Sequence, residues 1–193
     1  MRIIVGITGA SGIILGVELL RVLARHPGCE THLVMTDAAQ RTLAYETDLD
    51  PGQVTPLADY HHPIHDMAAS ISSGSYHTEG MIIIPCSMKT LAGIVTGYTD
   101  NLLLRAADVC LKERRRVVLV PRELPLSTVH LRNMVQAAND GCVIMPPMLT
   151  FYNRPDTIQH MINHLVGKIL MTFGIESGDF VPWTGHEKSH AAE

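Results

Sequence analysis

The chain has 193 residues, which suits one compact domain, and an apolar fraction of 46% against a charged fraction of 18% is enough to bury a core. The net charge of −4 argues against nucleic acid as a partner. The apolar runs are too short to span a bilayer, and we expect neither a membrane anchor nor a secretory signal. Four scattered cysteines without a C-x-x-C pair favour a reducing, cytoplasmic location over a disulfide framework.

Short β-branched runs alternate with longer stretches of helical periodicity. The predicted strands cover residues 2–7, 30–35, 81–85, 116–120 and 142–146, and their continuous apolar character is typical of strands buried on both faces. The predicted helices cover residues 11–26, 38–47, 87–97, 101–114, 127–139 and 155–173. This alternation predicts an α/β fold in which helices flank a parallel sheet. Residues 52–69 are the least regular stretch. We predict one domain over residues 1–185 and a flexible tail over 186–193.

Turn-forming residues followed by a hydroxyl come after several predicted strands. Ser11 lies in the segment TGASG (residues 8–12), Ser87 ends PCS (85–87), and Ser127 follows PRE (121–123). We expect Ser11 and Ser87 to be helix N-caps, so that the N–H groups beyond them form an anion site. Ligands of open parallel sheets bind outside the carboxyl ends of the strands, so the pattern favours a phosphate-bearing cofactor over a purely structural turn. Neither a G-x-G-x-x-G fingerprint nor a Walker A loop is present.

Several segments, in the same order, resemble the UbiX-like flavin prenyltransferases. They are TGASG (8–12), ETD (46–48), SSGS (72–75), PCSMKTL (85–91), RAADV with LKER (105–109 and 111–114), PRE (121–123) and FY (151–152). The resemblance implies a Rossmann-like three-layer fold, reduced FMN as prenyl acceptor, dimethylallyl phosphate as prenyl donor, and a homo-oligomer, usually a dodecamer. It also implies that the prenylated FMN serves a UbiD-like decarboxylase.

The resemblance also implies a set of site residues at the matching positions. The residues implied to contact the flavin are Gly9, Ala10, Ser11, Thr36, Ser87, Met88, Lys89, Thr90 and Arg122. Those implied to contact the prenyl phosphate are Tyr152 and Lys168. Those implied to surround the transferred prenyl group are Ser11, Glu46, Lys112, Glu123 and Trp183. Three places depart from the family pattern. Thr36 stands where Ser is usual, Lys168 stands where Arg is usual, and the segment before Trp183 reads Val181-Pro182 where an Arg is common.

These residue types suit prenyl transfer. Cations stabilise a departing phosphate, for which Lys112, Arg122 and Lys168 are the candidates, and no metal is then required. Glu46, Glu123 and the released phosphate are alternative proton acceptors. Trp183 would shield an allylic cation through its π face. The structural alternatives are a solvated helix end for Lys112, a surface carboxylate for Glu46 and a packing anchor for Trp183.

Metal and thiol chemistry receive less support from the sequence. His160 and His164, like His186 and His190, have the i, i+4 spacing of metal ligands, but neither pair has the Glu of H-E-x-x-H, so we expect no metal site. Cys86 stands at a helix start, where a thiolate would be favoured. We favour its interpretation as a small apolar residue beneath the flavin loop.

Two other functions stay open at this point. A peptidyl-cysteine decarboxylase shares the fold, but that group usually carries a Pro-Ala-Ser-Ala-Asn-Thr-like motif where this chain has PCSMKT, and an early His where it has Glu46. A non-catalytic FMN carrier would be separated from an enzyme only by turnover.

The first helix predicts an oligomer larger than a dimer. Its apolar surface is wider than one contact with the sheet needs. The residues that form it are Ile13, Ile14, Val17, Leu19, Leu20, Val22 and Leu23.

Overall fold

Six parallel strands form one sheet in the order β3-β2-β1-β4-β5-β6 in the computed structural model of the chain. They are β1 (Arg2–Ile7), β2 (Glu30–Met35), β3 (Tyr60–His62), β4 (Gly80–Cys86), β5 (Arg116–Pro121) and β6 (Cys142–Ile144). Every neighbouring pair in the sheet is parallel. The prediction of a Rossmann-like fold with a parallel sheet flanked by helices is confirmed. The strand order itself, which the sequence pattern does not predict, is the Rossmann order.

Helices connect the strands. They are α1 (Ile13–Arg25), α2 (Asp37–Glu46), α3 (Pro51–Val54), α4 (Met88–Val95), α5 (Leu102–Lys112), α6 (Thr128–Asn139) and α7 (Ile158–Met171). Each predicted helix has its counterpart, and α3 was not predicted. Its signal was present, because Asp50 and Gln53 form a capping box at its start.

Side chains alternate between the two faces of the sheet and give the fold three layers. On one face, Ile4, Met81 and Ile83 pack in a core with residues of α4, α5 and α6. On the other face lies α1, where Gly16 comes so close that a Cβ would lie 2.6 Å from the carbonyl oxygen of Ile84. Because both faces are covered, the central strands read as continuous apolar runs.

The edge strand β3 is the strand that the sequence pattern missed. It has only three residues, Tyr60 to His62, and pairs with β2 alone. Its aromatic rings stack on His32 of β2, at centroid distances of 4.8 Å for Tyr60 and 5.2 Å for His62, and His32 is 1% exposed. A strand held by its partner in this way carries no apolar alternation of its own.

The prediction that α1 carries the apolar surface for oligomerisation is wrong. Val17, Leu19 and Leu20 of α1 are fully buried within the chain. An exposed apolar surface instead lies on α6, where Val129 is 50% and Val135 is 62% exposed. The wide apolar surface of α1 is needed because the helix packs on the sheet and also contacts α2.

The chain divides into two compact units, Met1–Pro147 and a second unit that begins at Met148 and contains α7. The structure describes residues 1–178 and 180–185. The predicted tail over residues 186–193 lies outside the described residues, and the single domain over residues 1–185 stays a prediction.

Candidate functional site

The carboxyl ends of β1 and β4 adjoin at the point where the strand order changes direction. From β1 the chain continues to β2 and β3 on one side, and β4 then returns to the other side of β1. Ligands of open α/β sheets bind in the crevice at such a point. The loops that follow β1 and β4 carry two of the predicted flavin segments, residues 9–11 and 87–90, so both segments border this crevice.

Thr8, which sequence reasoning did not select, joins these two loops. Its hydroxyl donates to the carbonyl oxygen of Pro85 at 2.7 Å and accepts from the N–H of Ser87 at 2.8 Å. The N–H of Arg122, after β5, donates to the carbonyl oxygen of Cys86 at 3.1 Å. Burial raises the pKa of the Cys86 thiol, which supports its interpretation as a small apolar residue beneath the loop. The loops are therefore held in place by one another.

Two of the helix starts at this edge are capped by hydroxyls. Ser87 is the N-cap of α4, as predicted, and its Oγ accepts from the N–H of Thr90 at 3.2 Å and contacts the Thr90 hydroxyl at 3.0 Å. Thr36 caps α2 in the same way. The N–H groups of Met88 and Lys89 open α4, where helix geometry offers them no intrahelical acceptor. This donor set fits the phosphate and hydroxyl groups of a nucleotide-like cofactor.

The start of α1 differs from the prediction. Its N-cap is Gly12, with a left-handed φ of 96°, and no side chain of the cap residue bonds to the helix, so the prediction of Ser11 as N-cap is wrong. The carboxylate of Glu46, at the end of α2, does the capping instead. Its Oε2 accepts from the N–H of Gly12 at 2.8 Å and from the N–H of Ile13 at 3.1 Å. The positive end of α1 is therefore neutralised by the chain's own carboxylate.

The Glu46 carboxyl is held in its ionised form. Burial by itself would raise its pKa, but hydrogen bonds from the Ser11 hydroxyl and from the N–H groups of Gly12 and Ile13, with the positive charge of Arg122, hold the pKa below its ordinary value. Ser11, Glu46 and Arg122 thus form one electrostatic cluster at the carboxyl ends of the strands.

Other predicted residues at this edge are positioned by local contacts. Gly9 and Ala10 are half-buried in the loop after β1, and Gly9 packs against α2, where an added Cβ would lie 2.5 Å from the Cβ of Ala38. Glu123 is exposed, and its carboxylate accepts from the N–H of Leu124 at 3.0 Å.

Lys112 lies at the opposite edge of the sheet. It ends α5, pairs with Glu113 at 2.5 Å and adjoins Gly74. The chain then enters β5 at Arg116, which is in register with Gly80 at the start of β4. Within one chain, the structure does not bring Lys112 to the cluster around Glu46.

The second unit contains the remaining predicted residues. The hydroxyl of Tyr152 lies 3.1 Å from Nε2 of His164, and its ring meets that of Trp183 edge-on at 5.6 Å. Lys168 is exposed in the last turn of α7, one turn after His164. Burial and the charge of Lys168 lower the pKa of His164.

The histidines of α7 engage separate partners. Nδ1 of His160 lies 2.5 Å from the carboxylate of Asp156, whereas His164 contacts Tyr152. Among the described residues no group of three or more His, Cys, Asp or Glu side chains has the arrangement of a metal site. The second pair, His186 and His190, lies outside the described residues.

Comparison with known proteins decides the family. The family model described as "Flavoprotein" matches residues 1–173. A protein of Sedimentibacter hydroxybenzoicus named "Probable UbiX-like flavin prenyltransferase" is 59% identical over 185 residues, which are 96% of this chain and 98% of the relative. This chain belongs to the UbiX-like flavin prenyltransferases. In the part of the sequence that the structure describes, no helix is both long and apolar enough to span a membrane.

Solved structures of UbiX-like proteins agree in fold and sequence. One, in complex with FMN and dimethylallyl pyrophosphate, has a TM-score of 0.94 and 52% identity and covers 96% of this chain and 98% of its own. Another, a dodecameric FMN-dependent protein of Escherichia coli O157:H7 described as a UbiX-like decarboxylase, has the same TM-score and identity and covers 96% of this chain and 100% of its own. A peptidyl-cysteine decarboxylase is 16% identical with a TM-score of 0.59, which shows the shared fold alone.

Proposed function

We propose that this UbiX-like chain transfers the dimethylallyl group of dimethylallyl phosphate to reduced FMN, and that the prenylated FMN serves a UbiD-like decarboxylase. The observation that carries the proposal is the near full-length similarity to a protein whose structure holds both FMN and dimethylallyl pyrophosphate. The alternative of a peptidyl-cysteine decarboxylase has only the fold in its favour.

The carboxyl edge fits a flavin mononucleotide. The crevice beside β1 and β4 is bordered by capped helix starts whose N–H groups suit phosphate, and the loops around it are joined through Thr8. The proposed FMN contacts are the residues named from the family pattern: Gly9, Ala10, Ser11, Thr36, Ser87, Met88, Lys89, Thr90 and Arg122.

Glu46 is proposed to act by its charge. Reduced FMN, when bound, supplies the nucleophilic ring atoms that the prenyl group alkylates. Because its pKa is lowered, Glu46 is ionised near neutral pH and is a weak proton acceptor. A fixed carboxylate stabilises the positive charge that develops on an allylic carbon as phosphate departs. The weak basicity of Glu46 favours Glu123 or the released phosphate as the proton acceptor.

The prenyl phosphate is proposed to bind Tyr152 and Lys168. An ammonium group and a phenolic O–H both suit phosphate oxygens, and neither requires a metal. Trp183, which meets Tyr152 edge-on, is proposed to cover the prenyl group.

We propose that the chain works as a homo-oligomer, as the dodecameric relative does. Lys112 lies at the far edge of the sheet from Glu46, so its proposed role in transfer requires a site shared between copies of the chain. The exposed apolar face of α6 offers a contact surface, since side chains of this kind are normally covered.

Val135→Asp tests this surface. We expect the variant to dissociate, which light scattering would show as a smaller mass, while its circular dichroism spectrum stays that of the wild type. An unchanged mass would exclude α6 from the interfaces.

A cytoplasmic location is also proposed. All four cysteines are free thiols, as expected in a reducing compartment.

The decisive experiment combines the purified protein, chemically reduced FMN and dimethylallyl phosphate without oxygen, followed by mass spectrometry of the released flavin. We expect a flavin heavier by one isoprene unit, formed equally well in the presence of a metal chelator. Omission of the prenyl donor is the control. Tight FMN binding without any mass change would support the flavin carrier. In a separate reaction with oxidised FMN and a cysteine-ended peptide, loss of carbon dioxide from the peptide would support the decarboxylase.

A further inference from the structure

His164 in α7 forms a buried hydrogen bond that no predicted role uses. The side chain is 5% exposed, and its Nε2 lies 3.1 Å from the hydroxyl of Tyr152. The same hydroxyl lies 3.4 Å from the carbonyl oxygen of Val181. Nδ1 of His164 is buried and has no hydrogen-bond partner among the residues that the structure describes.

These contacts select one tautomer of the imidazole. The lowered pKa of His164 leaves the ring neutral near pH 7, with one N–H. If Nε2 carries the hydrogen, it donates to Tyr152, and the tyrosine proton is free to reach Val181, so both observed contacts form. If Nδ1 carries the hydrogen instead, the Tyr152 hydroxyl must donate its proton to Nε2, and its hydrogen bond to Val181 is lost. The buried N–H of Nδ1 then has no acceptor among the described residues, and leaving a buried donor unpaired costs free energy.

The imidazole is held in this position by its surroundings. Its ring packs on Phe180 at a centroid distance of 4.8 Å and meets Tyr152 at 5.3 Å, nearly perpendicular. Phe180 also lies against Gly167, where any Cβ would overlap it. A ring packed in this way keeps the direction of its N–H bond constant.

We propose that His164 is a positioning residue for prenyl transfer: its Nε2–H holds the Tyr152 oxygen as an acceptor, so that the phenolic proton points outward to the phosphate of the prenyl donor. The inference rests on the proposed function, which makes Tyr152 a phosphate contact. At 3.4 Å the bond to Val181 is long, and a phosphate oxygen is a stronger acceptor. The proton therefore turns from Val181 to the phosphate while the bond between His164 and Tyr152 remains.

Two amide substitutions of His164 that place an N–H at different distances from the backbone test this role. His164→Gln carries its amide nitrogen at about the reach of Nε2, whereas His164→Asn carries it at the reach of Nδ1. We expect the Asn variant to lose about five- to tenfold in kcat/KM for dimethylallyl phosphate, mainly through KM, as for one hydrogen bond. The Gln variant should keep most of the activity, and both should keep the affinity for FMN, measured by flavin fluorescence on the assembled protein.

Tyr152→Phe separates this inference from the proposed function. Combined with His164→Asn, it should be no worse than Tyr152→Phe alone, because His164 acts through the hydroxyl. Equal activity of the Gln and Asn variants, or full additivity in the double variant, would overturn the positioning role while leaving prenyl transfer in place. If Tyr152→Phe itself leaves the KM for the prenyl donor unchanged, Tyr152 is not a phosphate contact, and the premise of this inference fails. A wild-type protein that makes no prenylated FMN refutes the proposed function itself.

Discussion

The cap of Glu46 on α1 predicts a pH-dependent contribution to stability. The Oε2 atom accepts from two N–H groups of the helix start, at 2.8 Å and 3.1 Å. Glu46→Gln retains an oxygen at this position and removes the charge. An exposed carboxylate at a helix N-terminus is worth about 0.3–1 kcal/mol, so we expect Glu46→Gln to lower the free energy of unfolding by about that amount. Glu46→Ala removes the acceptor as well and should cost about 1–2 kcal/mol.

The dependence on pH follows from the lowered pKa of Glu46. A carboxyl whose pKa is lower in the folded chain contributes its full stability above its unfolded pKa of about 4.3. The contribution is lost as the pH falls through the folded value. The difference between wild type and Glu46→Gln should therefore be largest near neutral pH, should begin to shrink near the unfolded pKa of about 4.3, and should close once the pH is below the folded pKa.

Thermal unfolding of the flavin-free protein measures this difference. For a chain of this size, 1 kcal/mol shifts the midpoint by about 2–4 °C, so Glu46→Gln should unfold about 1–4 °C lower at pH 7. Protein concentration must be fixed, because assembly also shifts the midpoint. Glu176→Gln, a change at an exposed carboxylate of the second unit, is the matched control. Equal midpoints for Glu46→Gln and wild type at pH 7, or a difference that does not shrink as the pH falls from neutral through the folded pKa of Glu46, would refute the capping argument.

Three further changes test the site itself. Glu46→Gln should bind FMN normally yet form prenylated FMN at least tenfold more slowly, as expected for one lost charge interaction; an unchanged rate in the mass-spectrometric assay would return Glu46 to a structural role. Lys168→Arg should retain most activity, whereas Lys168→Met should lose roughly thirty- to more than a hundredfold in kcat/KM, equivalent to about 2–3 kcal/mol; equal rates would place Lys168 outside the phosphate site. Gly9→Ala should weaken FMN binding and cost about 1–3 kcal/mol of stability, because the new Cβ meets that of Ala38 at 2.5 Å. Gly178→Ala, with open space around its Cβ, is the control and should match wild type in a flavin titration.

Local patterns in the sequence were enough to predict most of the fold. The strands β1 and β2 have the predicted bounds, because a strand buried on both faces requires the continuous apolar run that identifies it. Ser87 is the N-cap that was expected, since its bond to the N–H of Thr90 spans only three residues. The candidate site residues came from the family pattern, because neither composition nor periodicity indicates them.

Contacts between distant residues decided what the patterns missed. Tyr60 and His62 form a strand only because His32, about thirty positions earlier, offers its ring and its backbone. Ser11 has the chemistry of an N-cap, but the left-handed turn at Gly12 brings in Glu46, 34 residues away, as the acceptor. A carboxylate outcompetes a hydroxyl there because it brings a full charge to the positive end of the helix. Which acceptor reaches that end depends on where α2 stops against α1, and this depends on how the two helices pack in the folded chain.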